Sequence, residues 1–89
     1  MPSPRIEIEY CTKCRFALRA SWFAQELLAT FEGEAGEVAL VPGSGGIFEV
    51  RLDGDVVASN RADKKMPEVS AVKRALRDRL APARRIGHD

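Results

Sequence analysis

The sequence has no large excess of charge of either sign. It contains 14 Lys and Arg residues against 13 Asp and Glu residues, so the formal net charge is +1. No strong electrostatic field therefore draws the chain to nucleic acid or to an anionic membrane surface. Basic residues do gather near the C-terminus, but no aromatic residues interleave with them to stack on bases. We expect a solvated helix face there and no nucleic-acid partner.

Long apolar runs are also missing. No stretch approaches the roughly 20 apolar residues that cross a bilayer. The first residues lack the basic region, apolar run and small-residue cleavage site of a secretory signal. We therefore expect a cytoplasmic chain with no membrane partner. Its 89 residues suit a single domain, expected over residues 1–82 and followed by a flexible tail at residues 83–89.

Cysteine is scarce, and its two copies, Cys11 and Cys14, stand three positions apart. Because the cytoplasm keeps thiols reduced, such a pair is more consistent with a reversible redox group or a metal site than with a permanent staple. Tetrahedral zinc needs four ligands, and His88 alone could add one from this chain, so zinc would require a dimer. Inert buried cysteines are the remaining alternative. We expect a redox pair with no metal and no cofactor, since the dithiol is itself the redox group.

Apolar and acidic residues alternate over residues 6–10, directly before the cysteines. This pattern predicts a strand in a sheet that is covered on one side only. Asp53 and Gly54 predict a two-residue hairpin turn, and Pro67 with Glu68 predicts a helix start. The predicted strands are residues 6–10, 37–41, 47–52 and 55–59, and the predicted helices are residues 15–31 and 67 to about 80.

This order, β-α-β-β-β-α, restricts the topology. A right-handed crossover through the first helix makes the first two strands parallel, and the hairpin makes the last two antiparallel. We expect an α/β chain of the α+β type. Its four-stranded mixed sheet should have the strand order 2-1-3-4, with both helices on one face.

The two cysteines lie where a strand passes into a helix. A thiolate is the attacking form of cysteine, so the site must stabilise negative charge on sulfur. Free amides and the dipole at the helix start would do this for Cys11. Lys13 and Arg15 add positive charge nearby, and Thr12 completes the expected supporting residues.

Several blocks of sequence together resemble a known family. They are Ile8-Glu9-Tyr10-Cys11-Thr12-Lys13-Cys14, Gly46-Ile47-Phe48-Glu49-Val50, the Asp53-Gly54 hairpin and the Pro67-Glu68 helix start. They are similar to the selenoprotein W family, also called the Rdx or SelT/SelW/SelH family, from about Arg5 to Leu80. Animal members carry selenocysteine at the second cysteine position, so this chain resembles the prokaryotic-type sulfur homologues. The resemblance implies a thioredoxin-like fold and thiol-disulfide oxidoreductase activity on protein thiols or glutathione.

The resemblance and the electrostatics disagree about which cysteine attacks. A position at the helix start favours Cys11, whereas the position of selenium in the family corresponds to Cys14. Both assignments stay open, with a preference for Cys11 on electrostatic grounds.

True thioredoxins carry a cis-proline just before the strand that faces the motif. Gly45, Gly46 and Ile47 occupy the corresponding place here. The two glycines would allow a client backbone to approach closely, so we identify a candidate substrate-docking loop. A permissive loop that leads into a strand explains the same residues equally well.

Trp22 lies off the apolar stripe of the first predicted helix, on the side of Leu18. It is a candidate anchor for a protein partner or for a homodimer, and packing under a neighbouring loop is the alternative. A second function follows from such a surface. The chain would be a redox-gated protein-interaction module that binds without turnover.

Overall fold

The computed structural model describes residues 4–84. Six elements follow in the predicted order. They are the strands β1 (Arg5–Cys11), β2 (Glu37–Gly43), β3 (Phe48–Leu52) and β4 (Asp55–Ser59) and the helices α1 (Ala17–Thr30) and α2 (Val69–Leu80).

The four strands form one mixed sheet in the order β2-β1-β3-β4. β1 pairs in parallel with β2 and antiparallel with β3, and β3 pairs antiparallel with β4. The predicted strand order and strand directions are therefore confirmed. The hairpin turn is confirmed as well, because Asp53 and Gly54 both have positive φ, 49° and 91°.

Both helices pack on the same face of the sheet. Their buried side chains join those of the central strands β1 and β3 in one hydrophobic core. Aromatic rings form the part of this core that contains Phe48, which meets Phe23 and Phe16 edge to face at 5.0 and 6.0 Å between ring centroids. Burial of apolar surface between these layers is the main stabilising contribution to the fold. The core residues are Ile6, Ile8, Ala20, Phe23, Leu27, Phe31, Phe48, Val50, Leu52, Val72 and Leu76.

The opposite face of the sheet carries charged side chains. The Arg51 guanidinium lies 2.6 Å from Glu49, 2.9 Å from Glu9 and 3.5 Å from Glu7. Burial by itself lowers the pKa of Arg51, but the hydrogen bonds with Glu49 and Glu9 and the charge of Glu7 more than compensate, and the net shift is upwards. The predicted one-sided sheet is therefore confirmed, and its second face is an ion-pair network.

Strand β2 is longer than expected and extends through Pro42 to Gly43. Proline has no N–H to donate and is tolerated in sheets at an edge. β2 is the edge strand next to β1, so Pro42 can pair with Tyr10 without interrupting a ladder on its other side. The loop after β2 shortens accordingly to residues 44–47.

The second helix starts slightly later than predicted, at Val69, after an extended Glu68. Lys73 is a buried cation of this helix, 6% exposed, and its Nζ lies 2.7 Å from Glu26 of α1. After α2, the Arg84 guanidinium lies 5.9 Å from the centre of the Phe31 ring. Residues 85–89, including His88 and most of the predicted tail, lie outside the described residues.

The two helices have 14 and 12 residues. Within residues 4–84, no helix has the length and apolar character needed to span a membrane.

Candidate functional site

Cys11 and Cys14 form a disulfide, with their Cα atoms 5.4 Å apart. Cys11 is the last residue of β1 and is 2% exposed. Cys14 lies in the following turn and is partly exposed. The three predicted supporting residues Thr12, Lys13 and Arg15 are all exposed around the turn. Cys14 is therefore the more accessible residue of the pair.

The helix does not begin at the cysteines. Arg15 has a left-handed backbone with φ 59°, which an α-helix does not accept. Phe16 is the N-cap, and α1 starts at Ala17. The prediction that Cys11 lies at or near the helix cap is therefore wrong, because the turn needs five residues to leave the strand. Of the two cysteines, Cys14 is nearer in sequence to the helix start.

The backbone amides at the start of the motif are already engaged. The Cys11 N–H donates to the Ile47 carbonyl over 2.8 Å, and the Thr12 N–H donates to the Gly43 carbonyl over 3.2 Å. They are not the free amides that were expected to stabilise a Cys11 thiolate. Their role is to attach the motif to both ends of the segment that follows β2.

That segment contains the candidate docking loop. Gly45 and Gly46 have φ of 70° and 78°, a conformation that favours glycine, and Ile47 is 9% exposed. The fold thus brings the loop and the cysteines together, although they are more than 30 residues apart in sequence. Binding of a client backbone to this loop stays a prediction.

The connector after β4 was interpreted only as polar, and this missed two residues that contact the loop. The Asn60 side chain accepts from the Phe48 N–H over 2.9 Å and donates to the Gly46 carbonyl over 2.6 Å. The Arg61 guanidinium donates to the Gly45 carbonyl over 2.9 Å. Nothing in the local sequence signals these contacts, since the partner is a backbone segment 12 to 16 residues away. The polar residues themselves were the only available sign.

Trp22 lies in the middle of α1 and is 46% exposed, with its ring edge to face against Phe23. Leu18, one turn earlier, is 85% exposed. Both are therefore available on the outer side of the helix that follows the motif. Neither an interface nor a homodimer is tested by this geometry, and both stay predictions.

Metal ligands do not cluster in the described part of the chain. No group of three or more His, Cys, Asp or Glu side chains suited to a metal ion occurs within residues 4–84.

Comparison with known proteins places this site in a family. The model of the Rdx family matches residues 5–78, which include the whole sheet and both cysteines. The chain belongs to the Rdx family. The predicted family is therefore confirmed, and a Cys-x-x-Cys pair in an Rdx member is consistent with a redox role. A search of curated proteins found no match.

Two solved structures resemble this Rdx member closely. A protein from Bordetella parapertussis is 49% identical, with a TM-score of 0.84, over 90% of this chain and 100% of the other. A selenoprotein W-related protein from Vibrio cholerae is 39% identical, with a TM-score of 0.81, over 85% of this chain and 95% of the other.

Proposed function

We propose that this Rdx protein is a thiol-disulfide oxidoreductase of thioredoxin-like type in which Cys14 is the attacking residue and Cys11 the resolving one. The observation that carries the proposal is the unequal exposure of the pair. Cys14 is partly exposed in a turn, whereas Cys11 is 2% exposed at the end of β1. An intermolecular attack needs an accessible sulfur, and the resolving step is intramolecular.

The dithiol form reduces a disulfide in two steps. The Cys14 thiolate attacks one sulfur of the substrate, the substrate S–S bond breaks, and the first substrate thiolate leaves. The Cys11 thiolate then attacks the Cys14 sulfur of the mixed disulfide and releases the second substrate thiolate. Two electrons pass to the substrate, and the protons lost by Cys11 and Cys14 balance those taken up by the two products.

The disulfide form returns to the dithiol by the reverse sequence. A thiolate of a protein or of glutathione attacks Cys14, and the Cys11 thiolate leaves. A second donor thiolate attacks the donor sulfur of this mixed disulfide, and the Cys14 thiolate leaves. The product is a disulfide of the two donor thiols. Lys13 within the motif and Arg15 directly after it, both exposed, would stabilise the Cys14 thiolate.

Trapping of the mixed disulfide tests the assignment. We expect Cys11→Ser to accumulate a stable mixed disulfide on Cys14 with oxidised glutathione, detected by intact mass, and Cys14→Ser to accumulate much less. The opposite pattern would assign the attack to Cys11. Wild-type protein that neither turns over a disulfide substrate nor shows a dithiol-disulfide transition in a glutathione titration would refute the oxidoreductase function.

The exposed Leu18 and Trp22 on α1 favour a second candidate, a redox-gated interaction module. In this role the dithiol and disulfide forms would bind a protein partner differently, without turnover. Redox-dependent binding by a wild-type protein that is inactive on disulfide substrates would support the module.

A further inference from the structure

Asn60 contacts the backbone on both sides of Ile47. Its side-chain oxygen accepts from the Phe48 N–H over 2.9 Å, and its side-chain nitrogen donates to the Gly46 carbonyl over 2.6 Å. Its own backbone N–H donates to the Phe48 carbonyl over 3.0 Å. The amide orientation follows from these partners, because an N–H needs an acceptor and a carbonyl needs a donor.

Ile47 connects this clamp to the redox motif. Its carbonyl, between the two residues that Asn60 holds, accepts the hydrogen bond from the Cys11 N–H over 2.8 Å. A shift of the Gly46 to Phe48 backbone would therefore move the group that holds Cys11 in place. Asn60 is thus two hydrogen bonds away from the buried cysteine.

Arg61 extends the clamp to the preceding residues of the loop. Its guanidinium donates to the Gly45 carbonyl over 2.9 Å and to the Ser44 carbonyl over 3.4 Å. It lies so close that a Cβ added at Gly45 would be 2.7 Å from its Nη2. Both left-handed glycines of the loop therefore have their carbonyls held by the connector.

The turn that presents Asn60 and Arg61 is itself hydrogen-bonded. Asp63 accepts from the Ser59 N–H over 3.1 Å and donates its own N–H to the Ser59 carbonyl over 2.9 Å. The Arg61 N–H donates to the Ser59 hydroxyl over 3.2 Å. Ser59 is the last residue of β4 and is 2% exposed. The clamp is thus anchored on the sheet.

We propose that Asn60, assisted by Arg61, is a positioning residue that holds the loop of residues 44–47 over Cys11 and so keeps this cysteine protected while Cys14 stays reactive. The proposal rests on the proposed function for its biological use, because a protected resolving thiol directs attack to Cys14. What the clamp changes physically is the access of a reagent to the Cys11 thiol. It can therefore be tested without turnover.

The test measures alkylation of the reduced protein. Short pulses of iodoacetamide, followed by peptide mass spectrometry, give the alkylation rate of Cys11 divided by that of Cys14. We expect a low ratio in the wild type and a rise of roughly tenfold in Asn60→Ala, as expected when one or two net hydrogen bonds that close the loop are lost. Asn60→Asp keeps the acceptor for Phe48 but places a carboxylate oxygen against the Gly46 carbonyl in place of the donor, so its ratio should also rise above the wild-type value.

Asp53→Gly is the matched control. The Asp53 side chain also accepts from a backbone N–H, that of Arg5, over 2.7 Å, and glycine preserves the positive φ. This bond lies at the start of β1, the opposite end from Cys11. The variant should keep the wild-type alkylation ratio.

Several outcomes would overturn the positioning role. One is an unchanged ratio in folded Asn60→Ala, and another is an equal rise in Asp53→Gly. If Asn60→Ala does not fold, Asn60→Asp and Arg61→Ala decide, and wild-type ratios in both would reject the proposal. A wild-type protein without disulfide turnover would reject the oxidoreductase function while leaving the alkylation result valid.

Discussion

Cys11 donates its backbone N–H to the carbonyl of Ile47 over 2.8 Å. This bond continues the pairing of β1 and β3 by one step beyond the Tyr10–Phe48 pair. The buried cysteine is therefore held by the sheet, whereas its partner Cys14 belongs to an exposed turn. The two cysteines of the disulfide are therefore held differently, Cys11 by strand pairing and Cys14 only by the turn.

Reduction of the Cys11–Cys14 disulfide should leave the fold intact. The bond closes a loop with a sequence separation of three, and its chain-entropy contribution is at most roughly 2 kcal/mol. We expect the urea unfolding free energy to fall by no more than about that amount when reductant is added. The Cys11→Ser/Cys14→Ser variant is the control, and its stability should not respond to reductant.

The Arg15→Gly variant should be more stable to unfolding than the Arg15→Ala variant. Its φ of 59° costs an L-residue roughly 1 kcal/mol or more, which glycine avoids. Both variants remove the same charge, so the comparison isolates the backbone. We expect Arg15→Gly to unfold at higher urea than Arg15→Ala, and the reverse order would show that the left-handed conformation is not retained in solution.

A side chain at position 43 should destabilise the protein because it would lie too close to Glu9. An added Cβ would lie 2.6 Å from Glu9 Oε2, 2.8 Å from Glu9 Cγ and 3.0 Å from Ile47 Cγ2, and the φ of Gly43 is outside the left-handed region. We expect Gly43→Ala to cost about 1–3 kcal/mol through overpacking. In the Glu9→Ala background the part of this cost that comes from Glu9 should disappear, as measured by a double-mutant cycle of unfolding free energies.

Gly54→Ala provides the contrast for that cycle. Apart from Gly54 itself and its two neighbours in the chain, no residue comes within 4 Å of an added Cβ there, but φ is 91°, so the cost is conformational, about 1 kcal/mol. Glu9→Ala should not relieve it. The steric explanation would be contradicted if the losses of Gly43→Ala and Glu9→Ala were additive. It would also be contradicted if Glu9→Ala reduced the loss caused by Gly54→Ala.

Arg51→Met should destabilise the open face of the sheet. It removes the cation shared by Glu7, Glu9 and Glu49, and we expect a loss of about 1–2 kcal/mol from these partly buried ion pairs. Arg79→Met is the control, because the Arg79–Asp55 pair is largely exposed and should contribute less than about 1 kcal/mol. Equal losses in the two variants would show that the network adds nothing beyond a surface pair.

The loss caused by Arg51→Met should be nearly the same at every pH near neutrality. The pKa of Arg51 is raised in the folded protein, so its contribution is fully present below the ordinary arginine pKa and is lost only above the raised value. Arg51 itself therefore introduces no pH dependence between about pH 6 and 9. Unfolding free energies of the wild type and Arg51→Met across that range check this.

Leu18 and Trp22 test the predicted homodimer. Leu18 is almost fully exposed, but the Trp22 ring also packs on Phe23, so Leu18→Ser/Trp22→Ser should lower the unfolding free energy by about 1–3 kcal/mol. If the chain dimerises through this surface, sedimentation velocity should show a dimer for the wild type and a monomer for the variant. A wild-type protein that stays monomeric at high concentration would refute the predicted homodimer.

Much of the fold was predictable because it is encoded in local patterns. Alternation in β1, the Asp53–Gly54 turn and the helical spacing of the apolar residues gave the right elements and the right strand order. Errors occurred at element ends. Arg15 was assigned to a helix, but its backbone is left-handed, with φ 59°, and α1 begins only at Ala17. Pro42 was assigned to a loop, although an edge strand accepts it.

The candidate site could be predicted from the sequence only in part. Cys11 and Cys14 were identified from their spacing and from their place between a strand and a helix, since adjacent residues carry that signal. The contact of Gly43 and Ile47 with the motif was anticipated only as a general placement of the loop. Asn60 and Arg61 were missed, because each acts on backbone carbonyls of a distant segment, which carry no residue-type signature.

Sequence alone therefore determined the dithiol, its supporting charges and the strand order that surrounds it. These depend on residues that are neighbours in the chain or on a periodicity that one element carries by itself. Only the tertiary structure decided that Cys11 is buried while Cys14 is accessible, and that the loop of residues 44–47 is held against the motif. Burial and loop position result from packing between β1, β3 and the connector after β4, and no single segment contains that information.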